Sequence, residues 1–510
     1  MNTDISPKLT RWLLLTALAA LALRLWIAHA LPITGDEAFF YWWGVYPDWG
    51  YYDHPPMVGW LIWLMRTLFG EATWAIRLPV VLLPLALGGM LWWAFKPLNR
   101  ERAAWGVLLF WLAPINWLNT LITTDTPLIF WSVLSVAMLL RAEQRAQFDG
   151  RARLLYALAG VFIGCAFLSK YFAVVLGLAY LVYFALYRRE RWPGLVLLVL
   201  CALPGPIINF WWNMGHGWPN IMFNAINRNQ DAVFAWSKPL TYVGMLAYLL
   251  TPALLWLGIK YRRALQDTAR QQRLVATLVV VPLLFFALLS AKKVVGLHWV
   301  LAFYPFVFVL FAFALPPLTL KRCAQGLAVF TALHVVAVIA IGFTHLEQWQ
   351  GKPRYYSMVR TFRTAQLLAM VRTPDTVLMA DAYAPAAAFG YTVGHYVPVF
   401  GPGKFHARQD DLLVDFSVFQ GKTIRILVSD SDPPPLDDYR PYFESVRPLR
   451  FLLNGVTFHA VEGRNFNYAA YRKGVLGEIF ERYYAIPRWL PMTGCPFCVR
   501  YCGQVQCPRP

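Results

Sequence analysis

The segment from Thr34 to Pro56 reads TGDEAFFYWWGVYPDWGYYDHPP and directly follows the first long apolar segment of the chain. It contains adjacent carboxylates at Asp36 and Glu37, and a third carboxylate beside an imidazole at Asp53 and His54. Aromatic side chains fill much of the sequence between these groups, and two prolines end the segment. A plain connector between membrane spans needs none of these groups. The segment therefore predicts a binding site at a membrane surface.

Hydrophobic residues dominate the composition of the chain. Of its 510 residues, 58% are hydrophobic and 14% are charged, whereas a soluble chain carries about 25% charged residues. Apolar runs of about 20 residues, the length that crosses a bilayer, recur from Leu13 to Phe343. We therefore predict a polytopic α-helical membrane protein with about eleven transmembrane helices. The predicted spans lie near residues 12–31, 76–95, 103–122, 126–142, 154–169, 171–187, 193–211, 240–258, 274–290, 299–316 and 325–343.

Residues 344–510 differ from this pattern, because their charge is ordinary and they contain many prolines. Short β-rich runs (TVLMA, IRILVS and FLLNGVTFHAV) alternate there with helical patterns near 354–371, 383–390, 409–418 and 468–484. The chain is thus predicted to consist of a membrane domain, residues 1–343, and a C-terminal soluble α/β domain, residues 344–510.

The distribution of basic residues predicts the orientation in the membrane. The net charge of +19 would suggest nucleic acid as the partner of a soluble protein. Here, however, 19 Lys and Arg lie in the N-terminal segment and the loops on its side of the membrane, and seven lie in the connections on the other side. Cytoplasmic loops carry such an excess, so the basic loops are interpreted as topology signals and contacts with anionic lipids. We predict a multi-pass protein of the cell inner membrane, with a cytoplasmic N-terminus and a periplasmic C-terminal domain.

Two apolar segments need separate interpretation. The first span is too long for an ordinary signal peptide and lacks a cleavage site, so it is expected to remain as a helix. Segment 57–70 is too short to span and carries Arg66, so it is predicted to lie as a helix at the outer interface.

This topology places a set of ionisable and aromatic residues on the outer side of the membrane. Ionisable residues near membrane spans are costly and often mark function. The set comprises Asp36, Glu37, Asp53, His54, Asp125, Lys170, Tyr171, His216, Arg228, Lys292, Lys293 and His298.

Structural explanations remain open for single members of this set. Thr124 or Asp125 could cap the helix that follows, with a proline in its first turn. Lys170 lies in the sharp turn LSKYF, and it could extend to the lipid headgroups or hold a lipid phosphate. The loop that contains His216 and Arg228 is rich in Asn and Trp, which are also typical of an interfacial belt. The lysines in AKKVVGLHW are either solvated or form a clamp for a phosphate.

Together these groups predict a chemistry. A carboxylate can deprotonate an acceptor hydroxyl within hydrogen-bond reach, and cations can stabilise the charge that develops on a departing phosphate. Aromatic faces suit sugar rings and polyprenyl chains. The set therefore indicates transfer of a sugar from a lipid phosphate to an acceptor on the external face.

The motifs GDEAFFYWW, GYYDHPPMVGWLIWL and RLPVVL closely resemble the bacterial glycosyltransferases related to protein O-mannosyltransferases and to the aminoarabinose transferases that modify lipid A. The resemblance continues through TTDTPL, GCAFLSKYFAVVL, FWWNMGHGWPN and LHW, and into MADAYAPAAAFGY and GKFHARQDDLLVDF. It implies a GT-C fold, an active site in the external loops and a polyprenyl-phosphate sugar as the donor. It also implies inversion at the anomeric carbon by direct displacement.

The resemblance also implies roles for individual residues. Asp36 matches the first-loop acid, as the base or as the group that positions the acceptor, and Glu37 is expected to be its partner. Asp53 and His54 are expected to shape the sugar site, and Lys170 is a candidate for phosphate contact. The remaining residues predicted to bind substrate are Asp125, Tyr171, His216, Arg228, Lys292 and His298.

The sequence also leads to expectations about cofactors, binding partners and alternative functions. No cofactor is certain and no metal ligand is assigned, although Asp36 with Glu37 could hold a divalent cation. The expected partners are the polyprenyl-phosphate sugar donor, membrane lipids and a lipid, glycan or protein acceptor, without nucleic acid. A transporter or flippase of lipid-linked sugars is the main alternative. A non-catalytic glycan-binding partner in an envelope complex is a third interpretation.

The C-terminal tail, CPFCVRYCGQVQC, has no counterpart in the family pattern. Its four cysteines are Cys495, Cys498, Cys502 and Cys507. Their spacing is compatible with zinc or an iron–sulfur cluster inside a cell, whereas disulfides are favoured outside. Four cysteines allow three pairings, and the sequence does not choose among them.

Overall fold

The computed structural model describes residues 5–227, 233–404, 408–487 and 489–503. The chain divides into two compact units. The first unit comprises residues 1–30, 69–208 and 231–342, and the second comprises residues 31–68, 209–230 and 343–510. The division differs from a single boundary at residue 343, because two segments that connect predicted spans group with the C-terminal part.

The first unit is helical. Its helices are Pro7–Ala30, Thr73–Phe95, Arg100–Trp111, Ile115–Leu118, Asp125–Glu143, Gly150–Phe167, Ala173–Tyr187, Trp192–Ala202, Pro204–His216 (which continues into the second unit), Ser237–Lys260, Arg262–Gln271, Arg273–Ser290, Tyr304–Ala314 and Pro317–Gly342. Eight helical segments in the described part of the chain are long and apolar enough to cross a membrane, and one of them, Arg189–His216, contains both Trp192–Ala202 and Pro204–His216. The chain is thus a multi-pass membrane protein.

These eight helices coincide with eight of the eleven predicted spans. The other three predicted spans correspond to the shorter helices Arg100–Trp111, Ala173–Tyr187 and Tyr304–Ala314, of 12, 15 and 11 residues. The prediction of one continuous span over 103–122 is wrong. Pro114 has no backbone N–H to continue the helix, and the side-chain Nδ2 of Asn116 instead donates a 2.5 Å hydrogen bond to the carbonyl of Phe110.

A buried arginine stabilises this interrupted segment. Arg24 lies inside the first apolar helix and is 2% exposed. Its guanidinium donates hydrogen bonds to the carbonyls of Val81 at 3.0 Å and Asn116 at 2.8 Å, and to that of Val80. Pro84 cannot donate to the carbonyl of Val80, four residues earlier. Arg24 therefore satisfies a carbonyl that the proline leaves without its helical partner.

The second unit is built around a five-stranded mixed sheet. The strands are β1 (Thr376–Ala382), β2 (Val399–Lys404), β3 (Thr423–Leu427), β4 (Phe443–Leu453) and β5 (Val456–Phe466), in the order β2-β1-β3-β5-β4. β1 pairs in parallel with β2 and β3, whereas β5 pairs antiparallel with β3 and β4. The predicted α/β character of this part of the chain is confirmed.

The second unit also contains helices. They are Gly35–Val45, Met57–Phe69, Pro219–Ile221, Tyr355–Phe362, Thr364–Val371, Tyr383–Val393, Asp410–Leu413, Tyr468–Tyr471, Gly477–Tyr483 and Pro496–Cys502. The helix predicted over 409–418 is wrong in length, since only Asp410–Leu413 is α-helical and a 3₁₀ turn follows at Phe416–Phe419. A disulfide joins Cys495 to Cys498, which selects one of the open pairings; Cys507 lies outside the described residues.

Candidate functional site

In the first unit, the structure brings three of the predicted residues together. Asp125 is the first residue of the helix Asp125–Glu143, Lys170 lies in the turn after the helix Gly150–Phe167, and His298 lies in the 3₁₀ turn Leu297–Val300. Lys170 Nζ donates to both carboxylate oxygens of Asp125, at 2.9 and 2.8 Å. His298 Nε2 lies 3.8 Å from Asp125 Oδ2.

This geometry decides two interpretations that the sequence left open. The N-cap residue Thr124 makes no side-chain capping hydrogen bond, and the carboxylate of Asp125 is engaged with Lys170, so the capping interpretation is wrong. The side chain of Lys170 is 12% exposed and that of Asp125 is 7% exposed, so Lys170 does not extend to the headgroups. The side chain of His298 remains 52% exposed beside the pair.

Three further residues of the predicted set in the first unit are Tyr171, Lys292 and Lys293. The ring of Tyr171 packs on that of Phe167, with a centroid distance of 5.3 Å. Lys292 is exposed in the turn that follows the helix Arg273–Ser290, and its carbonyl accepts a 2.9 Å hydrogen bond from Lys238 Nζ. Lys293 is half-buried in the same turn.

In the second unit, the neighbours Asp36 and Glu37 serve different contacts. Thr34 and Glu37 form a capping box at the start of the helix Gly35–Val45. Oε2 of Glu37 accepts from Thr34 N at 3.2 Å and from Thr34 Oγ1 at 3.1 Å, and Glu37 is fully buried. Asp36 is exposed, and its Oδ1 accepts a 3.1 Å hydrogen bond from the Tyr383 hydroxyl.

A close helix contact fixes the position of Asp36. A Cβ atom on Gly35 would lie 2.7 Å from Cβ of Ala384, so the glycine allows the helices Gly35–Val45 and Tyr383–Val393 to touch. Nε1 of Trp42 donates to the carbonyl of Ala387 at 3.1 Å in the same contact. The sequence predicts no role for Tyr383, although this residue lies in MADAYAPAAAFGY, one of the motifs that carry the family resemblance.

Asp53 is buried in the same unit, and His54 lies half-buried beside it. Asp53 Oδ2 lies 3.2 Å from His54 Nδ1, and Tyr51 N donates to His54 O at 3.0 Å to close the turn. Tyr51 stacks on Trp43, with ring centroids 4.4 Å apart. Asp53 is 7% exposed, and among the described residues its Oδ1 has no hydrogen-bond partner. One carboxylate oxygen thus remains available to a ligand.

The loop beyond the helix Pro204–His216 adds neighbours to this pair. His216 Nδ1 lies 2.7 Å from the carbonyl of Trp212, and the two rings stack with centroids 4.2 Å apart. Trp212 in turn packs on Gly50, where an added Cβ would meet its ring at 2.4 Å. Asn224 Nδ2 donates to the carbonyl of Asp53 at 2.7 Å. Arg228 lies outside the described residues.

No group of three or more His, Cys, Asp or Glu that could hold a metal ion occurs within the described ranges. The suggestion that Asp36 and Glu37 jointly bind a divalent cation therefore stays a prediction, and Glu37 would have to leave its capping contact with Thr34 to serve it.

Comparison with known structures establishes the fold. ArnT from Cupriavidus metallidurans in the apo state matches 89% of this chain and 98% of its own chain, with a TM-score of 0.64 and 16% identity. The structure of the same protein bound to undecaprenyl phosphate matches with the same coverage, a TM-score of 0.66 and 14% identity. The chain has the fold of ArnT. The GT-C fold predicted from the resemblance is confirmed.

Sequence comparisons agree with the ArnT-like fold. Residues 53–212 match the family described as dolichyl-phosphate-mannose-protein mannosyltransferase. The lipid A galacturonosyltransferase RgtD of Rhizobium johnstonii is 29% identical over 261 residues, which cover 50% of this chain and 48% of RgtD. The undecaprenyl phosphate-alpha-4-amino-4-deoxy-L-arabinose arabinosyl transferase of Shewanella sediminis is 26% identical over 164 residues, 31% of this chain and 30% of that protein. The chain thus spans about half the length of RgtD and 30% of the length of the Shewanella protein. The resemblance inferred from the motifs is confirmed.

Proposed function

We propose that this chain is a membrane glycosyltransferase that moves a sugar from a polyprenyl-phosphate donor to an acceptor on the external face of the inner membrane. In one displacement, the acceptor oxygen forms a bond to the anomeric carbon while the bond from that carbon to the phosphate oxygen breaks. The acceptor proton passes to a base, and polyprenyl phosphate leaves. The anomeric configuration inverts, and no covalent enzyme intermediate forms.

The observation that carries the proposal is the match of residues 53–212 to a family of sugar transferases. This range contains Asp53 and His54, and it contains Asp125 and Lys170, which the structure joins in one buried ion pair. The named activities of RgtD and of the Shewanella relative, both sugar transferases, support the same reaction class.

Asp36 is proposed as the base or as the group that positions the acceptor. Its carboxylate is exposed, and the hydrogen bond from Tyr383 restricts its rotation. A carboxylate held in this way can accept a proton from a hydroxyl within hydrogen-bond reach. Glu37 is proposed to act through the capping box, because its carboxylate is already engaged with Thr34.

Lys170 and His298 are proposed to stabilise the departing phosphate. Asp125 holds the ammonium of Lys170 in place at 2.8 Å, and His298 adds a partly exposed imidazole on the same carboxylate. Preorganised positive groups lower the cost of charge that develops on a leaving group. Lys292 and Lys293 are proposed as further contacts for the phosphate or for lipid headgroups.

A lipid is the acceptor class that the relatives favour, since RgtD is named for transfer to lipid A. A protein or glycan acceptor is the alternative outcome of the test. If the acceptor group is itself a phosphate, no strong base is required, and Asp36 would position the sugar instead.

The test is sugar transfer by purified protein supplied with a panel of polyprenyl-phosphate sugars and matched membrane extract. Asp36→Asn is expected to abolish transfer while donor binding persists. Asp375→Asn, which changes another exposed carboxylate of the second unit, is the matched control and is expected to retain activity. Donors that bind, are not transferred and cross the bilayer of vesicles would instead favour the transporter.

A further inference from the structure

Three side-chain amides converge on the backbone of the turn that carries Asp53. Oε1 of Gln409 accepts from Tyr52 N at 2.9 Å. Nδ2 of Asn220 donates to Tyr51 O at 3.1 Å, and Nδ2 of Asn224 donates to Asp53 O at 2.7 Å. Three consecutive residues of the turn are thus held by amides that come from two distant segments of the chain.

Gln409 is anchored in a buried charged network. Its neighbour Arg408 donates to Asp411 Oδ1 from Nε at 3.0 Å and from Nη2 at 2.8 Å. Arg408 is 2% exposed and Asp411 is fully buried. The Tyr484 hydroxyl donates to the other oxygen of Asp411 at 3.0 Å. Buried, fully hydrogen-bonded networks of this kind restrict side-chain freedom, so Gln409 presents its amide from a rigid position.

The two asparagines are also fixed relative to each other. Asn220 lies in the short helix Pro219–Ile221, and Asn224 lies in the π-helical turn Met222–Ile226 that follows. Nδ2 of Asn224 also donates to the carbonyl of Asn220 at 2.9 Å. π-helical turns occur frequently at functional sites, and this one places Asn224 within hydrogen-bond distance of the carbonyl of Asp53.

We propose that Gln409, Asn220 and Asn224 are positioning residues, which hold the turn Tyr51–His54 so that the Asp53–His54 pair keeps its place in the sugar site. The proposal rests on the proposed function. The turn makes one internal backbone hydrogen bond, between Tyr51 N and His54 O. The three amides add restraints at the peptide groups of Tyr51, Tyr52 and Asp53, and Oδ1 of Asp53 stays available to a hydroxyl of the donor.

A purely structural role for these amides predicts something different. A buried backbone N–H without a partner costs about 1–3 kcal/mol, so loss of Gln409 would then lower only the amount of folded protein. A positioning role also changes how the folded protein binds its donor, because a shift of about 1 Å in a site can cost about 100-fold in rate.

The experiment compares Gln409→Met, which keeps the approximate volume but removes the acceptor, with Gln420→Met as the control. Oε1 of Gln420 accepts from Tyr468 N at 2.9 Å, so the control removes a hydrogen bond between the same chemical groups, at an exposed position away from the turn. Amide hydrogen exchange is measured on the segment 47–56 of the full chain in detergent. Donor KM and kcat are then measured with the donor that wild-type protein uses.

For Gln409→Met we expect exchange at Tyr52 to accelerate about 10-fold or more and donor KM to increase about 10-fold, because the turn loses a restraint on a buried amide. The control is expected to match wild type in both. If exchange in segment 47–56 is unchanged, or if it accelerates while KM stays at the control value, the positioning role is refuted. If Gln409→Met does not fold, Asn224→Asp, which loses the donor to Asp53 O without a change of size, is judged by the same two readouts.

The outcome separates this proposal from the proposed function. Exchange is read without any substrate, so it tests the restraint on the turn even if no donor is transferred. Absence of transfer by wild-type protein would contradict the glycosyltransferase. Unaltered exchange in an active Gln409→Met protein would contradict only the role of the amides.

Discussion

Removal of the Lys170 ammonium is expected to destabilise the first unit strongly. In Lys170→Met, the carboxylate of Asp125 loses both of its hydrogen bonds from Nζ while it stays 7% exposed. Removing one partner of a buried ion pair costs about 3–5 kcal/mol, because the other charge is left uncompensated. His298 remains 3.8 Å from the carboxylate and can compensate in part when it is protonated. We therefore expect a loss near the lower limit, about 3 kcal/mol, which is roughly a 100-fold shift in the folding equilibrium.

The double variant Lys170→Met with Asp125→Asn measures the coupling. Replacing a buried pair by well-packed hydrophobic residues is often nearly neutral for stability, and Asp125→Asn likewise removes the uncompensated charge that Lys170→Met leaves behind. The double variant is therefore expected to recover about 2 kcal/mol of the loss in the single variant. Free energies of unfolding are measured by equilibrium unfolding in mixed micelles, and Lys292→Met serves as the control for loss of an exposed lysine.

The reasoning is refuted if the double variant is no more stable than Lys170→Met. That result would mean that Asp125 and Lys170 are not coupled in the folded protein. A loss of similar size in Lys292→Met would also contradict it, since the effect would then follow from removing any lysine rather than from leaving a buried carboxylate uncompensated.

Three further predictions concern the second unit. Gly35→Ala is expected to lower sugar transfer at least about 10-fold, because the added Cβ would meet Cβ of Ala384 at 2.7 Å and displace Asp36. Gly89→Ala is the control, because its added Cβ would meet no neighbouring atom within 4 Å, and it is expected to be active in the same assay. Burial raises the pKa of Asp410 to about 6 from its ordinary value of 3.8. The folded chain therefore binds that proton more tightly than the unfolded chain, and stability falls by up to about 3 kcal/mol as the pH rises from about 4 to about 6. The unfolding midpoint of Asp410→Asn should change less with pH over this range than that of the wild type. A pH dependence equal to that of the wild type would contradict the raised pKa of Asp410. Replacing Cys495 and Cys498 together by serine is expected to lower the free energy of unfolding by about 2 kcal/mol, the value for a loop of this length. The change is measured from the unfolding midpoint with and without reductant, and equal midpoints for the variant and the oxidised wild type would argue against the disulfide.

Composition and periodicity were sufficient to predict most of the fold. Runs of about 20 apolar residues predicted eight of the long helices, because the bilayer sets their length. The prediction failed at 103–122, because the average hydropathy of a long window does not register the helix break that Pro114 indicates. Strand β2, with the sequence VFGPGK, was missed because Gly and Pro are depleted in strands and usually indicate a loop.

The sequence suggested candidate residues for the site but not their contacts. Topology placed Asp125 and Lys170 on one side of the membrane, yet their pairing depends on how two turns 45 residues apart pack. The amides of Asn220 and Gln409 act on backbone atoms, and no side-chain motif records such contacts. Arg24 was also missed, since its partners are backbone carbonyls, and only one of them, that of Val80, is left without its helical donor by Pro84.

Adjacent carboxylates at Asp36 and Glu37 suggested a catalytic pair, but the sequence also held the signal that separates them. Thr34-Gly-Asp-Glu37 fits the capping-box pattern, in which a threonine at the N-cap is followed three residues later by a glutamate. Successive residues of a helix point about 100° apart, so when Glu37 turns back to Thr34, Asp36 projects elsewhere. The cap thus fixes the first turn of the helix Gly35–Val45, and the Tyr383 hydroxyl restricts the carboxylate that this turn presents. Glu37 thus holds the first turn while Asp36 is left exposed, which is why Asp36, and not Glu37, is our proposal for the base or for the group that positions the acceptor.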